Sequence, residues 1–394
     1  MAELVYFDNA ATTPLDPRVF RAMAPFLGTA HGNPSSLHRA GREARAAVEH
    51  ARGQVARLLN AEPDEIVFTA SGTEADNLAL IGAATALPPG RHHVITSAIE
   101  HPAVLETCRV LEQRGIEATR LPVGADGLIE PSSLSQSLRP ETRLVSIMAA
   151  NNVVGTLQPV HALAEVARRA GALFHTDAVQ AAGRIPLDVR ASPIDLLSLS
   201  AHKLYGPKGV GALFIRKGVA LSPLIHGGGQ ERGLRSATEN VAGLVGFGCA
   251  AEIALSEMAG DAARLVHLRD ELINTLISGI PNVYLIGHRF RRLPGHICLG
   301  LAGLEGEALK LLLALDEAGI AVSSGSACSA HRAREPSSVL LALGFDPIRA
   351  RGSLRITLGR FNTEDEVSRF LEVFPEAVRA LRPVWSRTTA HVKT

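Results

Sequence analysis

Between about residue 60 and residue 220, short and nearly unbroken apolar runs rich in β-branched residues alternate with longer alanine-rich segments. That alternation constrains the fold more than any other feature. A strand that is apolar at every position must bury both faces, and this happens in a mostly parallel sheet covered by helices on each side. The runs are 65–70, 93–98, 143–150, 172–177, 195–200 and 209–216. Segments 39–59, 73–86, 102–114 and 163–170 repeat apolar residues three and four apart, which predicts helices. The fold class is therefore α/β.

The pattern changes after the glycine triplet at 227–229. A long helical stretch, 239–277, leads to a further segment at 283–301 and to mixed strand and helix signals as far as 381. A chain of 394 residues is too long for one small core, so this part is read as a smaller C-terminal domain of α+β type. The expected division is a large domain over 16–258 and a small domain built from 1–15 and 259–394.

Composition narrows the function. Hydrophobic residues at 46% and charged residues at 20% are values of a globular protein and argue against disorder. A formal net charge of +1 supplies no field for nucleic acid, and the basic stretch at 379–393 is read as a solvated terminus. No run of about eighteen apolar residues stands out, and no basic-then-apolar leader opens the chain. A cytoplasmic protein without a membrane span is expected. Four cysteines, Cys108, Cys249, Cys298 and Cys328, share no CxxC spacing, so neither a zinc site nor a disulfide framework is expected. The first three lie in apolar or helical segments, as small core residues do. Cys328 lies among small and polar residues instead.

Lys203 follows the apolar run 195–200 and sits among polar residues and glycines, a poor place to pack a lysine. A desolvated amine there becomes a nucleophile toward a carbonyl, while a surface loop is the plainer alternative. Asp177 ends the run 172–177. In an open α/β sheet ligands bind beyond the carboxyl ends of the strands, so Asp177 and Lys203 are expected to share a crevice. A Schiff-base lysine with an acidic partner for a ring nitrogen is what pyridoxal 5'-phosphate (PLP) requires, although Asp177 alone also reads as a helix cap. Gly72 and Thr73, in SGTEADN, open a helix after a strand, where backbone N–H groups and the positive helix end suit a phosphate. Ser71 and Glu74 equally have the spacing of a capping box. Ser200 and His202 are placed to donate to the same phosphate. His101 starts a helix after 93–98, where an imidazole serves as either an acid–base group or a cap. Asn152 and Gln180 follow strand ends, where polar side chains fix ring substituents.

These segments, in this order, resemble one family, the PLP-dependent cysteine desulfurases of the class-V aminotransferase group and fold type I. The resemblance is carried by YFDNAATTP from Tyr6, GNPSSLH from Gly32, SGTEADN from Ser71, Glu100 with His101, ANN from Ala150, HTDAVQ from His175, SAHK from Ser200, HGGGQERGLRS from His226, SSGSACS from Ser323 and RGSLRITLG from Arg351. It is similar to the subgroup with the SGSAC cysteine loop. The resemblance implies a fold type I large domain with a seven-stranded sheet. It implies that Lys203 forms the Schiff base, Asp177 pairs with the pyridine nitrogen and His101 stacks on the ring. Gly72, Thr73, Ser200 and His202 would hold the phosphate, with Asn152 and Gln180 near the ring substituents and Asn152 also near substrate. Thr238 would reach the phosphate of a neighbouring subunit's cofactor, which implies a homodimer. Arg355 would pair with the substrate carboxylate.

The implied reaction takes L-cysteine to L-alanine and a persulfide on Cys328. Lys203 moves the α-proton, His101 serves as proton donor or acceptor, and the Cys328 thiolate attacks the substrate sulfur. Sulfur would then pass to acceptor proteins, as in iron–sulfur cluster assembly or tRNA thiolation. Two positions depart from the family pattern: Val153 stands where an acidic residue is usual, and Ala237 where glycine is usual. The stretch after Cys328 is one residue longer and holds His331, Arg332 and Arg334, a basic patch expected to affect acceptor docking or the thiol. Competing readings are a selenocysteine lyase or another class-V aminotransferase, and an inactive scaffold of a sulfur-transfer assembly.

Overall fold

The computed structural model describes residues 4–86, 92–325 and 336–388, with backbone alone from 382. Along the chain they form β1 (Val5–Tyr6), α1 (Pro17–Leu27), α2 (Arg39–Leu58), β2 (Ile66–Thr69), α3 (Gly72–Thr85), β3 (His93–Ser97) and α4 (Pro102–Gln113). Next come β4 (Glu117–Leu121), α5 (Pro131–Ser137), β5 (Thr142–Ser146), α6 (Val160–Arg169), β6 (Leu173–Asp177), β7 (Leu196–Ser200) and β8 (Gly211–Ile215). The long α7 (Val241–Gly279) precedes β9 (Val283–Leu285), β10 (His296–Leu301), α8 (Ala308–Glu317), β11 (Ile320–Ala321), β12 (Ser323–Ser324), α9 (Ser338–Ala342), β13 (Ser353–Thr357) and α10 (Glu364–Thr388).

The apolar runs do form a buried sheet. Seven strands lie in the order β2-β8-β7-β6-β5-β3-β4. Only β8 runs against its neighbours, so the other six point the same way. Every residue of β2, β3, β7 and β8 is buried, which explains why those segments read as unbroken hydrophobic runs. Phe174 and Phe214, both fully buried on this sheet, would each cost about 3–5 kcal/mol if truncated to alanine. The switch in strand order falls between β3 and β5, and the carboxyl ends of β2, β3, β5, β6 and β7 lie along one edge. That edge is where such a sheet binds ligands.

A second, antiparallel sheet, β12-β13-β10-β9, packs with α8 and α10 around Leu299, Leu315, Ile356, Phe370 and Phe374. The N-terminus belongs to this core: β1 pairs in parallel with β11, and Val5 and Phe7 are buried in it. One helix joins the two cores. The early part of α7, through Phe247 and Ala254, packs in the large core, whereas Leu265, Leu268 and Leu272 pack in the second. At 39 residues, α7 is the one described helix long and apolar enough by composition to cross a membrane, and half of its most apolar stretch is buried inside the protein. Its apolar positions are instead spent on the two cores.

Candidate active site

A cavity of about 540 Å³ opens at the carboxyl edge of the large sheet. It is lined by Gly72, Thr73, His101, Asn152, Asp177, Gln180, Ser200, His202 and Lys203, nine residues from five separate segments of the chain. Two expected residues, Thr238 and Arg355, lie outside its lining, and Cys328 falls outside the described residues.

Local structure sets each group. Lys203 ends a tight turn after β7 and is 9% exposed, and its Nζ donates to the carbonyls of Ala10 and, at 2.7 Å, Ala11. Gln180 Nε2 donates to the same Ala10 carbonyl at 2.9 Å, so the N-terminal segment closes one wall. Asp177 is the last residue of β6, and its Oδ1 accepts from the Val179 N–H at 2.9 Å. It is therefore the start of an Asx-type turn and not a helix cap. Burial pushes its carboxyl up, while His101, the Val179 N–H and Lys203 pull it back.

The helix start at Gly72 follows from Ser71, whose Oγ accepts from the Glu74 N–H at 3.1 Å. Glu74 does not complete the reciprocal box. Its Oε2 accepts from Ala70 N–H, and Arg235 Nε donates to its Oε1 at 2.8 Å. Glycine at 72 is a packing requirement, because a Cβ there would sit 2.7 Å from Val179 Cγ2. His202 Nδ1 lies 3.0 Å from Thr12 Oγ1, and burial with the charges of Lys203 and Lys208 pulls its pKa down to about 4. A neutral ring that accepts the Thr12 hydroxyl on Nδ1 carries its proton on Nε2, which is then a donor. His101 caps α4 by accepting from the Ala103 N–H on Nδ1 at 3.1 Å, so the capping and site readings hold together.

Asn152 is presented by its neighbour. Asn151 ties the turn after β5 by accepting from the Val153 and Val154 N–H groups and donating to the Ile99 carbonyl. Behind Asn152 stands Arg355, 1% exposed on β13. Its Nη1 donates to the Asn152 carbonyl at 2.9 Å and its Nη2 to Asp8 Oδ1 at 2.8 Å, and its Nε has no hydrogen-bond partner. Val153 is buried against Cys298 and Met148. Thr238 is exposed on the rim of a separate cavity of about 170 Å³ that shares Gly209 with the first.

The segment that carries Cys328 starts and ends beside this site. Gly325 N–H donates to Ser353 Oγ at 3.1 Å, Ser337 Oγ donates to the Gly325 carbonyl at 3.2 Å, and Ser323 pairs with Arg355 across the sheet. The three other thiols are poor nucleophiles. Burial pushes Cys108 and Cys298 up to about 12 and raises half-buried Cys249.

Asp76 and Lys208 also line the cavity and were not anticipated. For Asp76 the signal was present, since it follows Gly72 by four positions and therefore shares its face of α3.

An enclosed amine and a buried carboxylate in one cavity, with a helix N-terminus lining it, are the arrangement that a PLP-dependent enzyme requires. The aminotransferase class-V family profile matches residues 5–370. The cysteine desulfurase IscS of Dictyoglomus turgidum is 49% identical over 384 residues, 98% of this chain and 97% of that protein. That of Methanosarcina thermophila is 47% identical over 99% of this chain and 96% of its own. A solved NifS-like protein superposes with a TM-score of 0.89 at 40% identity, covering 96% of this chain and all of the other. The chain belongs to the class-V aminotransferase family, among its cysteine desulfurases.

Proposed function

We propose that this protein converts L-cysteine to L-alanine and holds the released sulfur as a persulfide on Cys328. It is a cysteine desulfurase, and the observation that carries the residue assignment is Lys203 and Asp177 in one cavity beside the two feet of the Cys328 segment. Three residues of extended chain reach at most about 11 Å, so Cys328 is tethered close to Gly325.

The residues fit PLP. A cavity of about 540 Å³ has room for a small cofactor with substrate, and the cradle at Gly72 is one that a Cβ would obstruct. When bound, PLP supplies an electron sink for the carbon that loses its proton. Lys203 would carry the cofactor and move the α-proton. Asp177 would pair with the ring nitrogen, and Gly72, Thr73, Ser200 and His202 would hold the phosphate. Asn152 and Gln180 would hold the ring substituents, and His101 would stack on the ring and serve as proton donor or acceptor. Arg355 binds the substrate carboxylate in place of Asp8. Thr238 serves the cofactor of a partner subunit in a homodimer, with 16–258 as the cofactor domain and 1–15 plus 259–394 as the small domain. We place the protein in the cytoplasm, with sulfur-acceptor proteins as its partners.

The test is incubation with PLP and L-cysteine, with alanine and sulfide measured for the parent and for Cys328→Ser. Desulfuration lost with PLP still bound supports the assignment. Full activity in Cys328→Ser contradicts it.

A further inference from the structure

Asp177 has a second carboxyl for company. Asp76, on α3, is 1% exposed and lines the same cavity. Its Oδ1 has no hydrogen-bond partner and lies 3.6 Å from His175 Nε2. His175 is itself fully buried, with Ser146 Oγ 2.8 Å from Nδ1 and Ser198 Oγ 2.9 Å from Nε2. The strand register builds this row: Ser146 pairs with His175 across β5 and β6, and Asp177 pairs with Ser198 across β6 and β7. Alternation then puts His175 and Asp177 on one face of β6, under α3.

The groups around Asp76 decide its charge. Among the described residues, those that act on it are Asp177, Glu100 and the Ser198 hydroxyl, and none of these is a cation. His175 supplies no counter-charge, because burial pulls its pKa down to about 3. Asp177, by contrast, has Lys203, His101 and the Val179 N–H on its side. Two carboxylates in one desolvated pocket do not both ionise, and the proton settles on the one without cationic support. Burial and the neighbouring Asp177 raise the Asp76 carboxyl well above the usual range, in agreement with that placement.

We propose that Asp76 is a positioning residue that stands as a neutral acid beside Asp177, so that the pair carries one negative charge and Asp177 alone presents it to the cofactor's ring nitrogen. The inference rests on the PLP reading of Lys203. Its consequence is that the pocket holds no second anion beside the Asp177 carboxylate, while Asp76 abuts the Ser198–His175–Ser146 row.

The test uses holoenzyme carrying aspartate labelled with carbon-13 in the side-chain carboxyl, followed by infrared spectroscopy at pH 8. A labelled carboxylic-acid band is expected in the parent and in Asp177→Asn, and is expected to vanish in Asp76→Asn. Absence of the band in the parent, or its loss in Asp177→Asn with retention in Asp76→Asn, overturns the proposal. The pH titration of the Lys203-linked chromophore gives a second readout. Because asparagine mimics the neutral acid, Asp76→Asn should leave that pKa within about 0.3 unit. An ionised Asp76 would make it fall by about one unit or more, which also overturns the proposal. Should Asp76→Asn not fold, the band in the parent and in Asp177→Asn decides alone. A parent protein that takes up PLP without a Lys203-dependent chromophore contradicts the cofactor reading itself, and the proposal with it.

Discussion

Replacing Gly72 with alanine tests the phosphate cradle through a single methyl group. The new Cβ would lie 2.7 Å from Val179 Cγ2 and 3.4 Å from Ser200 Cβ. Val179 is β-branched and stiff at χ1, and its N–H is held by Asp177 Oδ1 two residues earlier in the turn, so it yields only by moving the turn. Overpacking of this kind costs about 1–3 kcal/mol, whereas alanine in place of glycine returns at most about 1 kcal/mol in a helix. The clash therefore wins or breaks even in stability, and the displacement falls on the backbone N–H groups that take the phosphate. PLP titrated into apoprotein, followed by absorbance, should bind Gly72→Ala about tenfold more weakly or worse. Gly53→Ala is the control, since a Cβ on α2 meets only the end of Arg57 at 3.8 Å. If Gly72→Ala bound PLP as tightly as the parent, the cradle would not be where this account puts it.

Four other outcomes follow from the same geometry. Gly53→Ala should raise the melting temperature by about 1–3 °C, from reduced freedom of the unfolded chain, and leave PLP affinity unchanged; a lower melting temperature contradicts the open space read there. Arg355→Ala should raise the KM for L-cysteine at least about tenfold while PLP remains bound, because the carboxylate loses its guanidinium partner; an unchanged KM removes Arg355 from the substrate site. Alkylation of the folded protein at pH 8 should leave Cys108 and Cys298 unmodified, since a thiol with a pKa near 12 is only about one part in ten thousand thiolate there; rapid modification of either contradicts their burial. Burial raises Glu100 from its ordinary value to about 8, so the folded state keeps a proton that the unfolded chain releases between pH 4.5 and 8. Stability from that group is full below pH 4.5 and is lost as pH rises through 8. The melting temperature of Glu100→Gln relative to the parent should accordingly improve from pH 5 to pH 8, and a difference independent of pH contradicts the reading.

Much of the fold was legible because its strands are buried on both faces. The runs at 65–70, 172–177, 195–200 and 209–216 contain β2, β6, β7 and β8. β4 escaped notice for the converse reason: in its sequence EATRL only the last residue is buried at the sheet edge, where nothing demands an apolar run. The long α7 was legible as a helix over 239–277, but its service to two cores was not, since amphipathic spacing says nothing about which partner a face meets. Among the site residues, Lys203 and Asp177 announced themselves as charged groups at the ends of apolar runs. Asp8 did not, because its pairing with Arg355 joins residues 347 apart in sequence. Asp76 was passed over because an acid early in a helix looks like an ordinary dipole partner, and only the fold shows it buried in the cavity.

The most direct test of the central claim is to incubate the PLP-loaded protein with L-cysteine, without added thiol, and to map its peptides by mass spectrometry. One sulfur atom added to the peptide containing Cys328, with alanine formed and Cys108, Cys249 and Cys298 unchanged, is the expected result. Alanine produced while Cys328 stays unmodified, or sulfur found on one of the buried thiols instead, would contradict it.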